Sequence, residues 1–163
     1  MVRVEAVLRA WLGARTDAVV GAYWPIRGEI DPLPVLAEWA AGAPGRRIGL
    51  PVIDPAAQRL EFHAWWPGAP MRQDVFGIPI PDGTGPVAPT LLLVPCVGYG
   101  PSGVRLGYGG GFYDRTLAAA GPRPATAGIA FASAYVPELV ARAHDIPLDA
   151  ILTEDGIAWE RPG

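Results

Sequence analysis

The sequence predicts an α/β fold, a single three-layer domain in which a mainly parallel sheet carries helices on both faces. Short apolar segments of strand length alternate with segments of helical periodicity along the chain. Half of the 163 residues are hydrophobic, which is enough for one compact core. The 21 glycines and 19 prolines predict many sharp turns between the elements. We therefore expect one domain over residues 1–163.

In the first half of the chain, residue spacing separates helices from strands. Apolar residues at helical spacing from Val4 to Leu12 predict a helix that ends near Gly13. A second helix is expected where Asp31 offers an N-cap and Pro32 suits a first turn, before Gly42 ends it. Apolar and β-branched runs predict strands over residues 18–24, 48–53 and 60–65.

The second half begins with an irregular stretch and then continues the alternation. Proline and glycine dominate residues 66–89, where we expect an irregular excursion. Residues 90–97 are the strongest strand of the sequence, and they lead into a glycine-rich segment over 98–111. The remaining predictions are helices over 112–120 and 137–143 and strands over 125–131, 150–153 and 157–159.

Composition and charge exclude several classes of function. All 13 basic residues are arginine, so there is neither a Schiff-base lysine nor a phosphate-binding Walker lysine. A net charge of −3 without a basic cluster argues against nucleic-acid binding. No apolar run is long enough to span a membrane, and the N-terminus lacks a secretory pattern. The single cysteine, Cys96, fits a reducing cytoplasm. We expect a cytoplasmic protein whose partners are small molecules; the sequence does not determine its oligomeric state, although it slightly favours a monomer.

The first part of the glycine-rich segment matches a dinucleotide-binding pattern only weakly. Gly98, Gly100 and Gly103 satisfy G-x-G-x-x-G after a strand. The pattern requires those glycines to open a helix directly, whereas Pro101 and the residues after Gly103 continue as a loop. No acidic residue stands ~20 positions further on to bind a ribose.

The second glycine cluster is better placed for an anion. The glycines between Gly107 and Gly111 precede a predicted helix at the carboxyl end of the strongest strand. Backbone N–H groups and the helix N-terminus favour a phosphate there. Arg105 suits a bidentate phosphate contact, and Asp114 suits Mg²⁺ held by those phosphates. The alternative is a tight glycine turn in which Arg105 and Asp114 form a structural salt bridge.

At this segment the chain resembles a known family. Residues 105–115, RLGYGGGFYDR, closely resemble the signature of the 5-formyltetrahydrofolate cyclo-ligases, also called 5,10-methenyltetrahydrofolate synthetases. Further matches follow in order along most of the chain: Tyr23-Trp24-Pro25, Gly28-Glu29-Ile30-Asp31, Leu50-Pro51-Val52, Trp66-Pro67-Gly68, Phe76-Gly77-Ile78-Pro79, Leu93-Val94-Pro95, His144-Asp145-Ile146-Pro147-Leu148-Asp149 and Leu152-Thr153-Glu154.

The resemblance implies a Rossmann-like fold and an ATP- and Mg²⁺-dependent reaction on a reduced folate. In that family the formyl oxygen of 5-formyltetrahydrofolate attacks the γ-phosphate of ATP. The folate N10 then closes the ring and expels phosphate, which leaves 5,10-methenyltetrahydrofolate. Such phosphoryl transfer depends mainly on positioning and charge neutralisation, which a glycine loop, an arginine and Mg²⁺ supply.

The resemblance also implies roles for individual residues. Arg105 and Tyr113 would be catalytic, and Asp114 and Asp145 would bind Mg²⁺. The residues implied around the ATP phosphates are Arg105, Leu106, Gly107, Tyr108, Gly109, Gly110, Gly111, Phe112 and Tyr113. Those implied to contact folate are Trp24, Glu29, Tyr108, Gly109, Gly110, Gly111 and Phe112. Taken alone, Glu29 has the ordinary interpretation of a solvated loop acid, and the resemblance favours folate binding instead.

The chain departs from the family pattern at its beginning. Members usually start with a further helical segment whose lysine and arginine reach the ATP phosphates, and the helix over residues 4–12 corresponds to the family's second helix. Three hypotheses follow: a working cyclo-ligase, a non-catalytic relative that binds folate or nucleotide as a sensor or partner subunit, and an ATP-dependent enzyme acting on another heterocycle. We favour the first.

Overall fold

The computed structural model describes residues 2–107 and 110–163. The helices in these two ranges are α1 (Val2–Gly13), α2 (Leu33–Ala41) and α3 (Phe112–Ala119). The strands are β1 (Val19–Gly21), β2 (Arg47–Asp54), β3 (Arg59–Trp65), β4 (Met71–Gln73), β5 (Pro79–Pro81), β6 (Pro86–Val87), β7 (Leu91–Pro95), β8 (Gly98–Tyr99), β9 (Arg105–Leu106), β10 (Ala125–Ile129), β11 (Ala150–Thr153) and β12 (Gly156–Glu160). Among these described helices, none has both the length and the apolar character needed to cross a membrane.

Eight of the strands form one mixed sheet in the order β12-β11-β10-β7-β1-β2-β3-β6. The five central strands, β11, β10, β7, β1 and β2, are parallel to one another. The outer strands pair antiparallel: β12 with β11 at one edge, and β3 with β2 and β6 with β3 at the other. The predicted α/β sheet is confirmed, and its parallel character holds at the centre. The edges differ because β2 and β3 are joined by a turn at residues 55–58, which is too short for a parallel crossover.

Helices cover both faces of the sheet, as predicted. Successive side chains of a strand point to opposite faces, and β7 shows this directly. Leu91 and Leu93 pack in the core cluster that includes buried residues of α1 and α2. Leu92 and Val94 pack on the opposite face, in the cluster that includes Leu117 of α3. The central strand is therefore buried on both sides, which explains its uninterrupted apolar sequence.

Helix α2 begins and ends close to the predicted signals. The N-cap residue is Pro32, and Asp31, one position earlier, accepts a hydrogen bond from the Leu33 N–H through Oδ1 at 2.9 Å. At the other end, the Gly42 N–H donates to the Trp39 carbonyl at 3.1 Å. The helix buries an apolar stripe that includes Leu36 and Trp39, so its position is set by packing as well as by its caps.

Two predictions from the second half need correction. The predicted helix over 137–143 is wrong, because the structure has turns there and the Val140 side chain is 78% exposed. So short a segment cannot repay helix nucleation, and the Val136 N–H just before it donates to the Tyr99 carbonyl instead. Residues 66–89 are more ordered than expected, because β4 pairs with β5 and β6 extends the main sheet.

The first glycine cluster has a packing role. Gly98 lies in β8, which pairs with β9 and so places Arg105 beside the end of β7. Gly103 has φ +81°, and a Cβ there would collide with the Leu148 carbonyl and lie 2.8 Å from the Trp159 ring. These glycines do not open an α-helix, so the structure gives no support to a dinucleotide fingerprint.

Candidate active site

A cavity of about 480 Å³ lies at the carboxyl end of the central parallel strands. The segment after β1 contributes Tyr23 and Trp24, β2 contributes Pro51 and Ile53, and β7 contributes its last residue, Pro95. Open α/β sheets bind ligands at this edge, where the loops that follow neighbouring strands converge. The cavity is therefore the candidate active site.

The cavity brings together residues that are far apart in sequence. The predicted site residues that line it are Trp24, Glu29, Arg105, Leu106, Gly107, Gly110, Gly111, Phe112, Tyr113, Asp114 and Asp145. The other two predicted residues, Tyr108 and Gly109, lie outside the described part of the chain. The described residues predicted to bind phosphate, folate and metal thus line the same cavity.

Arg105 is folded against the end of β7. Its Nη2 donates a hydrogen bond to the Pro95 carbonyl at 3.1 Å, and its guanidinium carbon lies 5.3 Å from the centre of the Tyr113 ring. Its Nε is buried and has no hydrogen-bond partner among the described residues. Arg105 and Asp114 form no ion pair, so the salt-bridged turn considered from the sequence is wrong. The guanidinium instead keeps donor capacity beside the cavity.

Tyr113 presents a neutral phenol. Burial raises the pKa of its hydroxyl above the ordinary value of 10.0, an effect that nearby Arg105 opposes and nearby Glu29 reinforces. The group therefore remains protonated through the physiological range and can donate a hydrogen bond, but it cannot serve as a base. Burial likewise raises the pKa of the neighbouring Cys96 thiol to about 11, so this cysteine is no nucleophile.

The glycine loop and the start of α3 form the opposite wall. Gly111 is the N-cap of α3, has φ +70° and provides no side-chain cap. Such a backbone favours glycine, and it leaves the first N–H groups of the helix without a side-chain acceptor from the N-cap residue. At Gly107, a Cβ would lie 2.5 Å from Arg105 Nη2, so glycine is needed there to seat the arginine.

Glu29 is held by a tight turn after β1. Its Oε1 accepts a hydrogen bond from the Ile26 N–H at 2.9 Å, and its own N–H donates to the Ile26 carbonyl at 2.9 Å. Arg27 and Gly28, between them, both have positive φ. The turn fixes the carboxylate at the cavity next to Trp24, which also lines it.

Asp114 and Asp145 approach the cavity from two elements. Asp114, in the first turn of α3, accepts the Ile146 N–H through Oδ1 at 3.0 Å. Asp145 accepts the Arg142 N–H through Oδ2 at 2.8 Å. The described residues contain no group of three or more His, Cys, Asp or Glu side chains arranged to hold a metal ion. Two carboxylates suit Mg²⁺ that is bound jointly with substrate phosphates and water.

Some lining residues were not predicted from the sequence. Asp74 and the segment from Ile78 to Ile80 form one side of the cavity, and Leu139, Val140 and Arg142 form another. The first group could have been found, because residues 76–79 belong to the family-like matches. The second group carried no such signal, and the wrong helix prediction over 137–143 obscured it.

Comparisons with known proteins agree with this geometry. Residues 5–154 match the model of the 5-formyltetrahydrofolate cyclo-ligase family. The chain is 33% identical over 149 residues to the 5-formyltetrahydrofolate cyclo-ligase of Escherichia coli K12, covering 86% of this chain and 80% of the relative. It is 31% identical over 160 residues to the cyclo-ligase of Mycolicibacterium smegmatis, covering 90% and 79%.

Solved structures show the same fold. The 5,10-methenyltetrahydrofolate synthetase of Aquifex aeolicus superposes with a TM-score of 0.78 at 27% identity, covering 99% of this chain and 83% of that one. The Mycoplasma pneumoniae synthetase, at 21% identity, shares the fold with a TM-score of 0.70, covering 93% and 83%. With a family match over most of its length and a cavity lined by the family's signature, the chain belongs to the 5-formyltetrahydrofolate cyclo-ligase family.

Proposed function

We propose that this chain catalyses the ATP- and Mg²⁺-dependent conversion of 5-formyltetrahydrofolate to 5,10-methenyltetrahydrofolate, releasing ADP and phosphate. One observation carries the proposal: a single cavity is lined by the described residues of the signature and also by Trp24, Glu29 and Asp145. A ring system and a triphosphate must meet in one space for this reaction, and the cavity offers apolar walls and charged groups together.

The folate head binds near the turn after β1. Glu29 presents a carboxylate that accepts hydrogen bonds from the N–H donors of a pterin ring. Trp24, Pro51 and Ile78 line the same cavity and supply flat and apolar surfaces for the ring. This arrangement orients the ring, because the carboxylate is fixed by its own hydrogen bond to the Ile26 N–H.

The triphosphate binds along the glycine loop and the start of α3. Backbone N–H groups at Gly110 and Gly111 approach an anion closely because these residues carry no side chain. Arg105 supplies positive charge beside them, and its contacts with Pro95 and Tyr113 limit its movement. Charge that develops on the transferring phosphoryl group is therefore met by donors that are already in place.

Asp114 and Asp145 are the residues that would hold Mg²⁺. Each has one carboxylate oxygen in a hydrogen bond to a backbone N–H of the 142–146 segment, which fixes the side chain and leaves the second oxygen for a ligand. When bound with ATP, Mg²⁺ neutralises phosphate charge during transfer.

The chemistry needs no protein nucleophile. The formyl oxygen bonds to the γ-phosphorus and the bond to ADP breaks. N10 then bonds to the formyl carbon, that oxygen leaves within inorganic phosphate, and the N10 proton is released. Arg105 and the loop N–H groups stabilise the charge in transit, and the neutral Tyr113 hydroxyl donates a hydrogen bond without removing a proton.

A direct assay tests the proposal. The purified chain is mixed with 5-formyltetrahydrofolate and MgATP, and methenyl absorbance and ADP are followed together. We expect equal amounts of the two products, and Glu29→Gln should raise the KM for folate more than the KM for ATP. Absence of methenyl product at high enzyme and ATP concentrations would overturn the proposal, and ADP formation without it would indicate a different acceptor.

A further inference from the structure

Arg115 closes the signature and has no part in the chemistry described above. Its side chain nonetheless makes three contacts with described residues. Nε donates to the Gln58 carbonyl at 2.6 Å, and Nη2 donates to the Gly110 carbonyl at 2.7 Å. The guanidinium carbon lies 5.1 Å from the centre of the Phe112 ring. One planar group thus joins the β2–β3 turn, the glycine loop and the first residue of α3.

The contact with Gly110 fixes the orientation of a peptide group. In a trans peptide the C=O and the following N–H point in opposite directions. Because the Gly110 carbonyl is directed at Arg115, the Gly111 N–H is directed away from it. Both glycines line the cavity, so the orientation of this peptide decides which of its two groups a ligand meets.

The Arg115 guanidinium packs closely against Gly111. A Cβ at this position would lie 2.8 Å from Arg115 Nη1. The Gly111 carbonyl also accepts the Arg115 backbone N–H at 3.0 Å, as the first turn of α3 requires. The side chain and the main chain of Arg115 therefore hold the Gly110–Gly111 pair from two directions.

The Nε end of the guanidinium is also held in place. Gln58, whose carbonyl accepts the Nε hydrogen bond, has φ +54° in the β2–β3 turn. The next residue of α3, Thr116, accepts the Leu60 N–H through Oγ1 at 2.8 Å and donates to the Phe112 carbonyl at 2.7 Å. Arg115 is thus held to the sheet and does not move freely with the loop.

From these contacts we propose that Arg115 is a positioning residue for the nucleotide. It holds the Gly110–Gly111 peptide so that the Gly111 N–H, and not the Gly110 carbonyl, faces the phosphates of ATP. The inference rests on the proposed function, because it assumes that the phosphates lie on this loop. A carbonyl turned toward the phosphates would repel them, so loss of Arg115 should weaken nucleotide binding specifically.

Two variants of Arg115 test this, with a matched arginine as control. Arg115→Lys keeps the charge but cannot bridge two carbonyls and stack on Phe112 at once, and Arg115→Met keeps only the apolar stem. Arg123, four residues after α3 ends, donates through Nε to the Leu117 carbonyl at 3.3 Å and does not line the cavity. Arg123→Met therefore removes a similar contact away from the loop.

The readout separates positioning from stability. We expect both Arg115 variants to raise the KM for ATP by roughly 10- to 100-fold, the usual effect of losing a hydrogen bond to a charged group. The KM for folate should change less than about threefold, and Arg123→Met should change neither constant. A merely structural role would lower the active fraction, and hence kcat, with both KM values unchanged; that result would overturn the proposal.

A binding measurement keeps this test independent of turnover. Calorimetry with a non-hydrolysable ATP analogue and Mg²⁺ should show the same 10- to 100-fold weakening in both Arg115 variants. Failure of the wild-type chain to form methenyl product would overturn the proposed function and leave this comparison intact. Equal analogue affinities in the wild type, Arg115→Lys and Arg115→Met would overturn the role of Arg115 alone.

Discussion

Helix α2 follows β1 of the main sheet and helix α3 follows β9 of a separate two-stranded sheet, and the two helices begin in opposite ways. At α2, Asp31 supplies a carboxylate to the Leu33 N–H at 2.9 Å. At α3, the N-cap is Gly111, in a left-handed conformation and without a side-chain cap. The acidic side chain of the first turn, Asp114, accepts the Ile146 N–H instead.

The start of α2 therefore has a side-chain acceptor for one of its first N–H groups, whereas the start of α3 has none from its N-cap residue. Asp31, one position before the N-cap Pro32, satisfies one of the unpaired donors of α2 in the way a capping side chain does, a contact that stabilises the fold by ~1 kcal/mol. Gly111 offers those donors no side chain, and on our proposal they face the nucleotide while Arg115 holds the loop through the Gly110 carbonyl. The start of α2 should therefore respond to mutation in stability, and the start of α3 in activity.

The largest effect is expected from Gly111→Ala. The new Cβ would lie 2.8 Å from Arg115 Nη1 at a φ of +70°, so the loop and the arginine must both move. We expect kcat/KM for ATP to fall by roughly 100-fold, the penalty of about 1 Å of misplacement. Gly83→Ala is the control, because Gly83 has φ +74° but nothing within 4 Å of the new Cβ. Equal losses of kcat/KM in Gly111→Ala and Gly83→Ala would contradict a specific role of the α3 start in activity.

A smaller effect is expected from Asp114→Asn. The amide oxygen can still accept the Ile146 N–H, so the link to the 142–146 segment survives while the negative charge is lost. The Mg²⁺ concentration for half-maximal activity should rise by roughly 30-fold, with folate KM unchanged.

Asp74→Asn is the matched control for this variant. Asp74 also lines the cavity, and its Oδ1 accepts the Phe76 and Ile78 N–H groups. It should leave the Mg²⁺ requirement unaltered. An unchanged requirement in Asp114→Asn would contradict the metal role given to this residue.

Tyr113→Phe should lower kcat/KM by roughly 10-fold through loss of one hydrogen-bond donor. Because burial raises the pKa of this hydroxyl above 10.0, the phenol stays protonated as pH rises toward 10 and supplies no alkaline limb. The pH profiles of wild type and variant should therefore run parallel from pH 7 to ~10. Tyr99→Phe, which changes a tyrosine packed against Tyr135, is the control. A wild-type decline that disappears in Tyr113→Phe would show that Tyr113 does ionise in this range.

Asp31→Ala should have the smallest effect on activity, because it alters only the start of α2. Loss of the hydrogen bond to the Leu33 N–H should lower the free energy of unfolding by ~1 kcal/mol and Tm by about 2–4 °C. The kinetic constants, measured well below Tm, should match the wild type. A changed KM for either substrate would mean that α2 also shapes the cavity.

Local sequence was enough to predict most of the elements and to single out the signature residues, whose described members line the cavity. The spacing in α1 and the apolar run of β7 predicted their burial, because each period belongs to one secondary structure. The glycine loop was readable because a positive φ and close backbone approach restrict the residue type. Residues 137–143 were misread because their proline and apolar residues resemble a helix, whereas Val136, just before them, donates to the distant Tyr99 carbonyl and Leu139 makes only a turn contact with the Val136 carbonyl.

Taken by itself, the sequence determined the α/β class, the helices on two faces and the residues of the glycine loop, since periodicity, turn chemistry and motif spacing are properties of neighbouring residues. Only the tertiary structure decided which residues meet at the cavity. It turned Arg105 from Asp114 toward Pro95, brought Asp145 to α3, and gave Arg115 three partners. Such contacts depend on strand order and on backbone carbonyls far away in the chain. Because every residue has a carbonyl, residue type does not reveal which of them accepts a distant hydrogen bond.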